Sequence, residues 1–302
     1  MNEMLTTTGQ QLANNDRVGS GECSRAEIRL LIQEARRLER IQFRVIGRTD
    51  KLDRAGRACS RLELGNLSGT ATAFIRHDEF AAHHRDVDHG DIVLIGGGLQ
   101  EMADRFLIRI DDICRAHSSC IRPTALLPKE WVLPNFIPQL RTVIRHWLGI
   151  SSPALQRLMT DVFLDASNAL GFLNVPASKR YHHAYQGGLL DHTADMLLKL
   201  EERTWFQERL FQHDLATVLV ILHDIGKTVT FVGGDHSDRG GHQPHEMAAL
   251  EMLAVPLTKL EMTDPIAANL IRGFFKPRDW YPKKHDPIYK LVSSLDRQSA
   301  DF

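Results

Sequence analysis

The chain has 302 residues, against a usual domain of roughly 100–200, so it should hold about two domains and a sizeable core. Hydrophobic residues make up 43% and charged residues 25%, which is ordinary globular composition and excludes a collagen, a disordered tail protein and a small disulfide scaffold. The 37 Lys and Arg nearly cancel the 38 Asp and Glu, so any surface for a polyanion must be a local patch.

In chain order, residues 1–22 are polar and aperiodic, a frayed tail with no apolar leader. A charged amphipathic helix is predicted over 24–40, with Ser24 as N-cap and Glu27 in the capping-box position, so that residues 1–39 form a tail and helix. From 40 to 115 the pattern changes to five short β-rich runs, at 41–48, 59–64, 69–75, 91–95 and 106–110, with turn residues between them. A helix-like piece near 79–84 falls between the third and fourth runs. Five strands with a helix in that place is the order of an OB-fold β-barrel. Pro123, Pro128, Pro134 and Pro138 then interrupt 116–139, which reads as an interdomain linker or a wrapped arm. Beyond it, 140–302 is predicted to be all α, with apolar residues at three- and four-residue spacing over 140–147, 154–170, 189–204, 210–225, 245–260, 265–275 and 287–301. The longest apolar run, 215–222, is far short of the roughly 20 residues that span a bilayer. The expectation is a cytoplasmic α+β multidomain protein with no membrane partner. Cys23, Cys59, Cys114 and Cys120 form no CxxC pair and read as reduced, packed thiols.

The chemistry concentrates in the α half. In helix 210–225 the stripe of Leu215, Val218, Leu219 and Leu222 is buried, and His223 and Asp224 sit at its last turn before Gly226, read as the terminator. Burying a carboxylate beside an imidazole is costly unless hydrogen bonds or a cation satisfy both. With His192 and Asp296 added, the set mixes imidazole and carboxylate without thiolate. That suits a divalent ion, Mn²⁺ first and Mg²⁺, Fe²⁺, Ni²⁺ or Co²⁺ as alternatives, rather than structural zinc.

The order His192, then His223 and Asp224 in LHDIGK, then Asp296 in SLDRQSAD, resembles the HD-domain metal-dependent phosphohydrolases. More specifically, PASKRYHHAYQGGLLDHT (176–193) is similar to the first metal-binding helix of the YhaM-type 3′→5′ exoribonucleases, which join an OB-fold to an HD domain. The same stretch is similar to the HD domain of MobH-type conjugative relaxases. The resemblance implies that His192, His223, Asp224 and Asp296 hold the ion, that Asp224, Lys227 and His245 are catalytic, and that His245, His183 and His285 supply a second metal or phosphate position. Where two-metal members carry a further His, this sequence has IRGFFKP at 271–277, and Phe274 and Phe275 cannot ligate. The loop histidines His236 and His242 read as exposed, and Trp280 and Tyr281 as core aromatics.

Between Arg40 and His77, eight Lys and Arg stand against Asp50, Asp53 and Glu63, a local excess of five positive charges. Arg44, Arg48, Lys51, Arg54, Arg57, Arg61 and Arg76 form an electrostatic track for a phosphate backbone, with Phe74 as a stacking platform; Phe43, Phe80 and Phe106 are further candidates. The function expected is metal-dependent 3′→5′ exonucleolytic hydrolysis of single-stranded RNA, with DNA as a further substrate and homo-oligomerisation as an option. Two alternatives are a relaxase-like nuclease acting on single-stranded DNA and a non-catalytic single-strand-binding protein with a degenerate site. The chain ends six residues after Asp296, which points to a shortened form.

Overall fold

The computed structural model describes residues 37–78, 87–102, 105–203, 210–232, 235–276 and 285–300. Strands β1 (Arg37–Leu52), β2 (Ala58–Gly65), β3 (Thr70–Arg76), β4 (Ile92–Met102) and β5 (Arg105–Arg115) close a barrel in the order β1-β2-β3-β5-β4. Every pairing is antiparallel except β3 with β5. This is the OB-fold arrangement expected from the strand spacing. Alternation builds its core: on β3, Ala71, Ala73 and Ile75 point inward and Thr72, Phe74 and Arg76 outward. Val45, Leu62, Leu64, Val93, Ile95, Ile108 and Ile113 complete the interior. β1 is long enough to pair with both β2 and β4 because its register shifts twice, between Leu38 and Ile41 and between Val45 and Gly47, and such bulges bend a strand.

The helix expected over 24–40 lies outside the described residues up to 36, and at 37–40 the chain is strand instead. Leu38 is paired with Gly97. The cross-strand pairing overrides a helical charge pattern, as tertiary context does for weak local propensity. The piece near 79–84 lies outside the described residues, as do Phe80, Trp280 and Tyr281.

The proline-rich stretch holds α1 (Pro123–Leu126) and single turns at Ser118–Cys120, Lys129–Trp131 and Pro134–Phe136. Its Ile121, Ala125, Leu126, Leu127, Val132 and Phe136 are buried in the same core as the helices that follow. Those helices are α2 (Ile137–Leu148), α3 (Pro153–Leu164), α4 (Ala166–Asn174), α5 (Gly188–Glu201), α6 (Leu210–Leu222), α7 (Lys227–Thr230), α8 (Asp238–His242), α9 (His245–Met252), α10 (Ala254–Glu261), α11 (Pro265–Phe274) and α12 (Pro287–Ala300), with a hairpin of β6 (Phe231–Val232) and β7 (Asp235–His236) after α7. In α6 the buried residues run all the way round, including Ala216, Val220 and Ile221 as well as the predicted stripe, so α6 is a central rod rather than a surface helix. α5 packs on α2, α4, α6 and α12.

Barrel and helices meet at Arg44. Its side chain is fully buried; Nη2 donates to the Phe163 carbonyl at 2.6 Å, and its guanidinium lies 5.2 Å from the Trp131 ring centre. Phe163 belongs to the last turn of α3, whose carbonyls have no intrahelical partner and whose dipole favours a cation. Burial pulls the Arg44 pKa down to about 10 against the raising influence of Asp165 and Asp91. The Nε and Nη1 atoms have no protein partner. Arg44→Ala is expected to lower stability by about 2–5 kcal/mol, as truncation of a long buried side chain does. Arg44→Met, which keeps the packing and loses the bond to Phe163 and the cation over Trp131, should cost less; urea unfolding of both variants checks the order.

Candidate metal centre

Four side chains from three places converge. His192 comes from the second turn of α5, His223 and Asp224 from the turn after α6, and Asp296 from the third turn of α12. α6 stops at Leu222, so His223 and Asp224 lie just past the helix rather than in its last turn. Gly226 is not a left-handed terminator, since its φ is −63°. Its requirement is space: an added Cβ would lie 1.9 Å from the His245 carbonyl oxygen. Gly187, at φ +83°, starts α5, and a Cβ on Gly188 would lie 2.0 Å from the His183 carbonyl oxygen. Small residues at 188 and 226 therefore let the segments bearing His183 and His245 close over the centre.

The Nε2 atoms of His192 and His223 are 3.3 Å apart. Asp296 Oδ1 is 3.2 Å from His192 Nε2, and Asp224 Oδ2 is 3.2 Å from His223 Nε2. Donor atoms of His192, His223 and Asp224 all lie within 4.8 Å of one another. Neighbouring donors each about 2.1 Å from one ion stand about 3 Å apart, so the spacing fits a single cation. The far nitrogens agree. His223 Nδ1 is 2.7 Å from the Val220 carbonyl, an acceptor, so Nδ1 carries the proton and Nε2 is free to ligate. His192 Nδ1 is 2.9 Å from Ser299 Oγ, and Ser299 in turn hydrogen-bonds Asp195, which orients Ser299 to accept from the imidazole.

The electrostatics follow from burial. His192, His223 and Asp224 are all nearly inaccessible. Burial lowers the His192 pKa, with Asp296 opposing. His223 is raised despite burial, because Asp224 sits beside it. Asp224 would be pushed up by burial, yet Lys227, His223 and His245 hold it well below the ordinary carboxylate range. Asp296 is also lowered against burial, chiefly by its bond with His192.

The other expected residues are placed as follows. Lys227 Nζ is 2.5 Å from Asp224 Oδ2 and 2.6 Å from the Ala177 carbonyl, so two of its three N–H groups are already engaged. His245 Nε2 is 3.1 Å from Asp224 Oδ1 and the ring is partly exposed. His183, at φ +54°, has its ring centre 5.4 Å from that of His192, with Nδ1 2.9 Å from Tyr185 Oη. Tyr185 donates to Asp191. His285 is exposed, lies two residues before the start of α12 and is not part of the group formed by His192, His223 and Asp224. Phe274 and Phe275 are core residues, stacked edge-on at 5.4 Å beside Tyr289. Sequence reasoning missed Ser299, Asp195 and Ala177, which act only through tertiary contact.

On the barrel, the basic track is thinner than the count of charges suggested. Arg44 is interior, as above, and is not available to a strand. Arg48 bonds Asp50 and the Val87 carbonyl, Arg57 bonds Asp53 at 2.9 Å, and Arg61 bonds Glu63 at 3.0 Å. Arg54 is exposed in the β1–β2 turn. Outward on β1–β3 the structure does bring together Lys51, Arg61, Phe74 and Arg76. Arg61 pairs with Phe74 across β2–β3, Cys59 pairs with Lys51 and with Arg76, and Lys51 Nζ lies 4.5 Å from the Phe74 ring centre. Phe43 is buried in the barrel, and nothing is described of the Phe106 side chain. Among the described residues the cysteines Cys59, Cys114 and Cys120 are free thiols.

Over residues 124–214 the chain matches a family model, TraI_2, described as "Putative helicase". The stretch runs from α1 into α6 and includes Gly187, Gly188 and His192, but not His223, Asp224 or Asp296. A search of curated proteins finds no match. Among the described residues no helix is long and apolar enough to cross a membrane.

At 100 times its dissociation constant, Mn²⁺ is expected to stabilise the wild type by about 2.7 kcal/mol, with no such rise in the melting temperature of His223→Ala. Ser299→Ala, which removes only the partner of His192, should weaken Mn²⁺ binding about 10–100-fold in a calorimetric titration.

Proposed function

We propose that the chain is a metal-dependent phosphodiesterase that trims single-stranded nucleic acid from the 3′ end. The observation that carries this reading is the meeting of two imidazole lone pairs and the buried Asp224 carboxylate, with the half-exposed Asp296 beside His192 and a partly open side at His245. His192, His223, Asp224 and Asp296 would hold a divalent ion. When bound, such an ion lowers the pKa of a coordinated water towards neutrality and so supplies the nucleophile for phosphoryl chemistry. The protein's own part is positioning and charge. Lys227 fixes Asp224 against the 176–183 segment and balances its charge. His245, on the open side, faces Asp224 through Nε2 at 3.1 Å and Glu246 through Nδ1 at 3.5 Å, and so would steady the Asp224 carboxylate where a phosphoryl group would approach. The buried floor formed by α5 and α6 keeps bulk water from the ligands.

The helicase description supports a nucleic-acid substrate, though not a nucleotide-driven motor. Gly226, Lys227 and Thr228 spell the end of a phosphate-binding loop, which also needs a glycine five positions before Gly226 in a turn that follows a strand. Position 221 is instead Ile221, fully buried within α6, and the Lys227 ammonium is engaged by Asp224 and Ala177. The outward face with Lys51, Arg61, Phe74 and Arg76 is read as the seat of the single strand, a sequence-tolerant combination of stacking and cations.

RNA is the substrate implied by the likeness to the exoribonucleases. A second reading, a conjugation-associated nuclease acting on single-stranded DNA, is favoured by the family match over 124–214. A time course with 5′-labelled single-stranded RNA and DNA in Mn²⁺ tests both. The expected outcome is a ladder shortening from the 3′ end that is lost in Asp224→Ala; faster cleavage of DNA selects the second reading. Absence of cleavage on either strand by a Mn²⁺-loaded protein sinks the phosphodiesterase. Lys51→Ala is expected to raise KM with kcat unchanged and to reduce the salt slope of binding by about 1.

A further inference from the structure

A cavity of about 330 Å³ opens beside the centre, between α7, the β6–β7 hairpin, α8 and the start of α9. Its wall is shared with the metal site, because His245 lines it and also stands 3.1 Å from Asp224 Oδ1. The lining side chains include three imidazoles, His236, His242 and His245, and the ring of Phe231, with no carboxylate among them. His236 leans on Phe231 at 5.0 Å between ring centres. The Gln243 amide is engaged away from the cavity, accepting from Arg239 at 2.8 Å and donating to Glu251 at 2.7 Å, and His245 faces Asp224 through Nε2 and Glu246 through Nδ1 at 3.5 Å, so the imidazoles of His236 and His242 are the polar side chains left to meet a ligand. At Gly241 an added Cβ would meet nothing within 4 Å, so the backbone there borders open space. The hairpin is tied across the site by Lys179 to Asp235 at 2.5 Å.

A wall of aromatic faces with two imidazoles, His236 and His242, suits a planar ligand, and the His245 edge adjoins the candidate metal centre, where a bound cation would meet the ligand's phosphate. The cavity volume lies at the low end of ligand cavities, roughly 300–1,000 Å³, which admits one nucleotide and not several. We propose that this cavity seats the terminal nucleotide of the strand, with its phosphate towards His245 and its base against His236 and His242. The proposal rests on the phosphodiesterase reading and gives it an end-recognition site. On cleavage the oxygen of water bonds to phosphorus, the bond from phosphorus to the 3′ oxygen of the preceding nucleotide breaks, and that oxygen takes up the proton. A nucleoside 5′-monophosphate is left in the cavity.

Calorimetric binding to the Mn²⁺-loaded full chain tests this without turnover, using AMP, dAMP, adenosine and inorganic phosphate as probes. AMP or dAMP is expected to bind at least about tenfold more tightly than adenosine or phosphate alone, the better of the two reporting the sugar. His236→Ala and His242→Ala, both at exposed positions, should each weaken mononucleotide binding by about tenfold, within the range of one lost base–aromatic contact, while Mn²⁺ affinity stays within about twofold. Mononucleotide binding unchanged in both variants, or no binding by the Mn²⁺-loaded wild type, overturns the subsite. The two readings separate cleanly. A protein that cleaves strands yet binds no mononucleotide loses only the subsite, and one that binds mononucleotide through His236 and His242 yet cleaves nothing keeps the subsite and loses the phosphodiesterase.

Discussion

Two imidazole nitrogens facing each other at 3.3 Å inside an apolar helical core are the constraint on which the α half depends. Each far nitrogen is already engaged, by the Val220 carbonyl and by Ser299, so both lone pairs point to the same place. Such an arrangement is unfavourable unless something positive lies between them. One proton can serve, and Asp224 beside His223 favours the charged form there while burial disfavours it at His192. A divalent cation would serve better, since Asp224 groups with both imidazoles within 4.8 Å and Asp296 lies 3.2 Å from His192 Nε2. Proton and cation then compete for one position. The surrounding architecture follows from holding these four groups still: α6 as a rod buried all round, glycines at 188 and 226 where other backbones approach to about 2 Å of a would-be Cβ, and Lys227 bridging Asp224 to the loop that precedes α5.

The barrel presents the contrary case, where charge looks abundant and is mostly spent locally. Arg48 with Asp50, Arg57 with Asp53 and Arg61 with Glu63 are neighbours in sequence that pair on the surface, and exposed pairs of this kind contribute little to stability. They also reduce the field that a nucleic acid would meet. On the outward β1–β3 face the structure brings together a compact cluster rather than a track, with Lys51 Nζ 4.5 Å from the Phe74 ring centre.

The barrel was legible because its strands alternate in polarity and the first three are separated by Asp53, Gly56, Asn66 and Gly69, all strong turn formers. β1, β4 and β5 run longer than their apolar runs, because cross-strand pairing extends them to 16, 11 and 11 residues. The candidate cluster was legible because His223 and Asp224 are adjacent and end an apolar run. Residues that act through tertiary contact were not. Ser299 lies 107 positions from His192, and nothing local marks it as a hydrogen-bond partner. Arg44 reads as one more surface arginine until the barrel is docked on α3, and Arg37–Arg40 reads as helix until β4 is there to pair with it. His236 and His242 looked like bland loop histidines for the same reason: the cavity they line exists only once the β6–β7 hairpin, α8 and α9 are brought together.

The same docking that hides Arg44 also bears on how the two halves cooperate. Arg44 grips the carboxyl end of α3 at Phe163; α4 begins two residues later with Asp165 as its N-cap. Further along α4, Gly171 lies so close to Thr228 that a Cβ there would approach the Thr228 Cβ to 2.6 Å. Thr228 is next to Lys227, which holds Asp224. A continuous run of close contacts therefore joins β1 of the barrel to the carboxylate at the centre, with no slack segment in between, and the proline-rich 121–136 stretch is packed into the helical core alongside it. The outward face of β1–β3 is thus joined to the candidate metal centre through packed side chains. Under the phosphodiesterase reading proposed above, such packing would serve to position a strand, since a misplacement of about 1 Å can cost 10²-fold in rate.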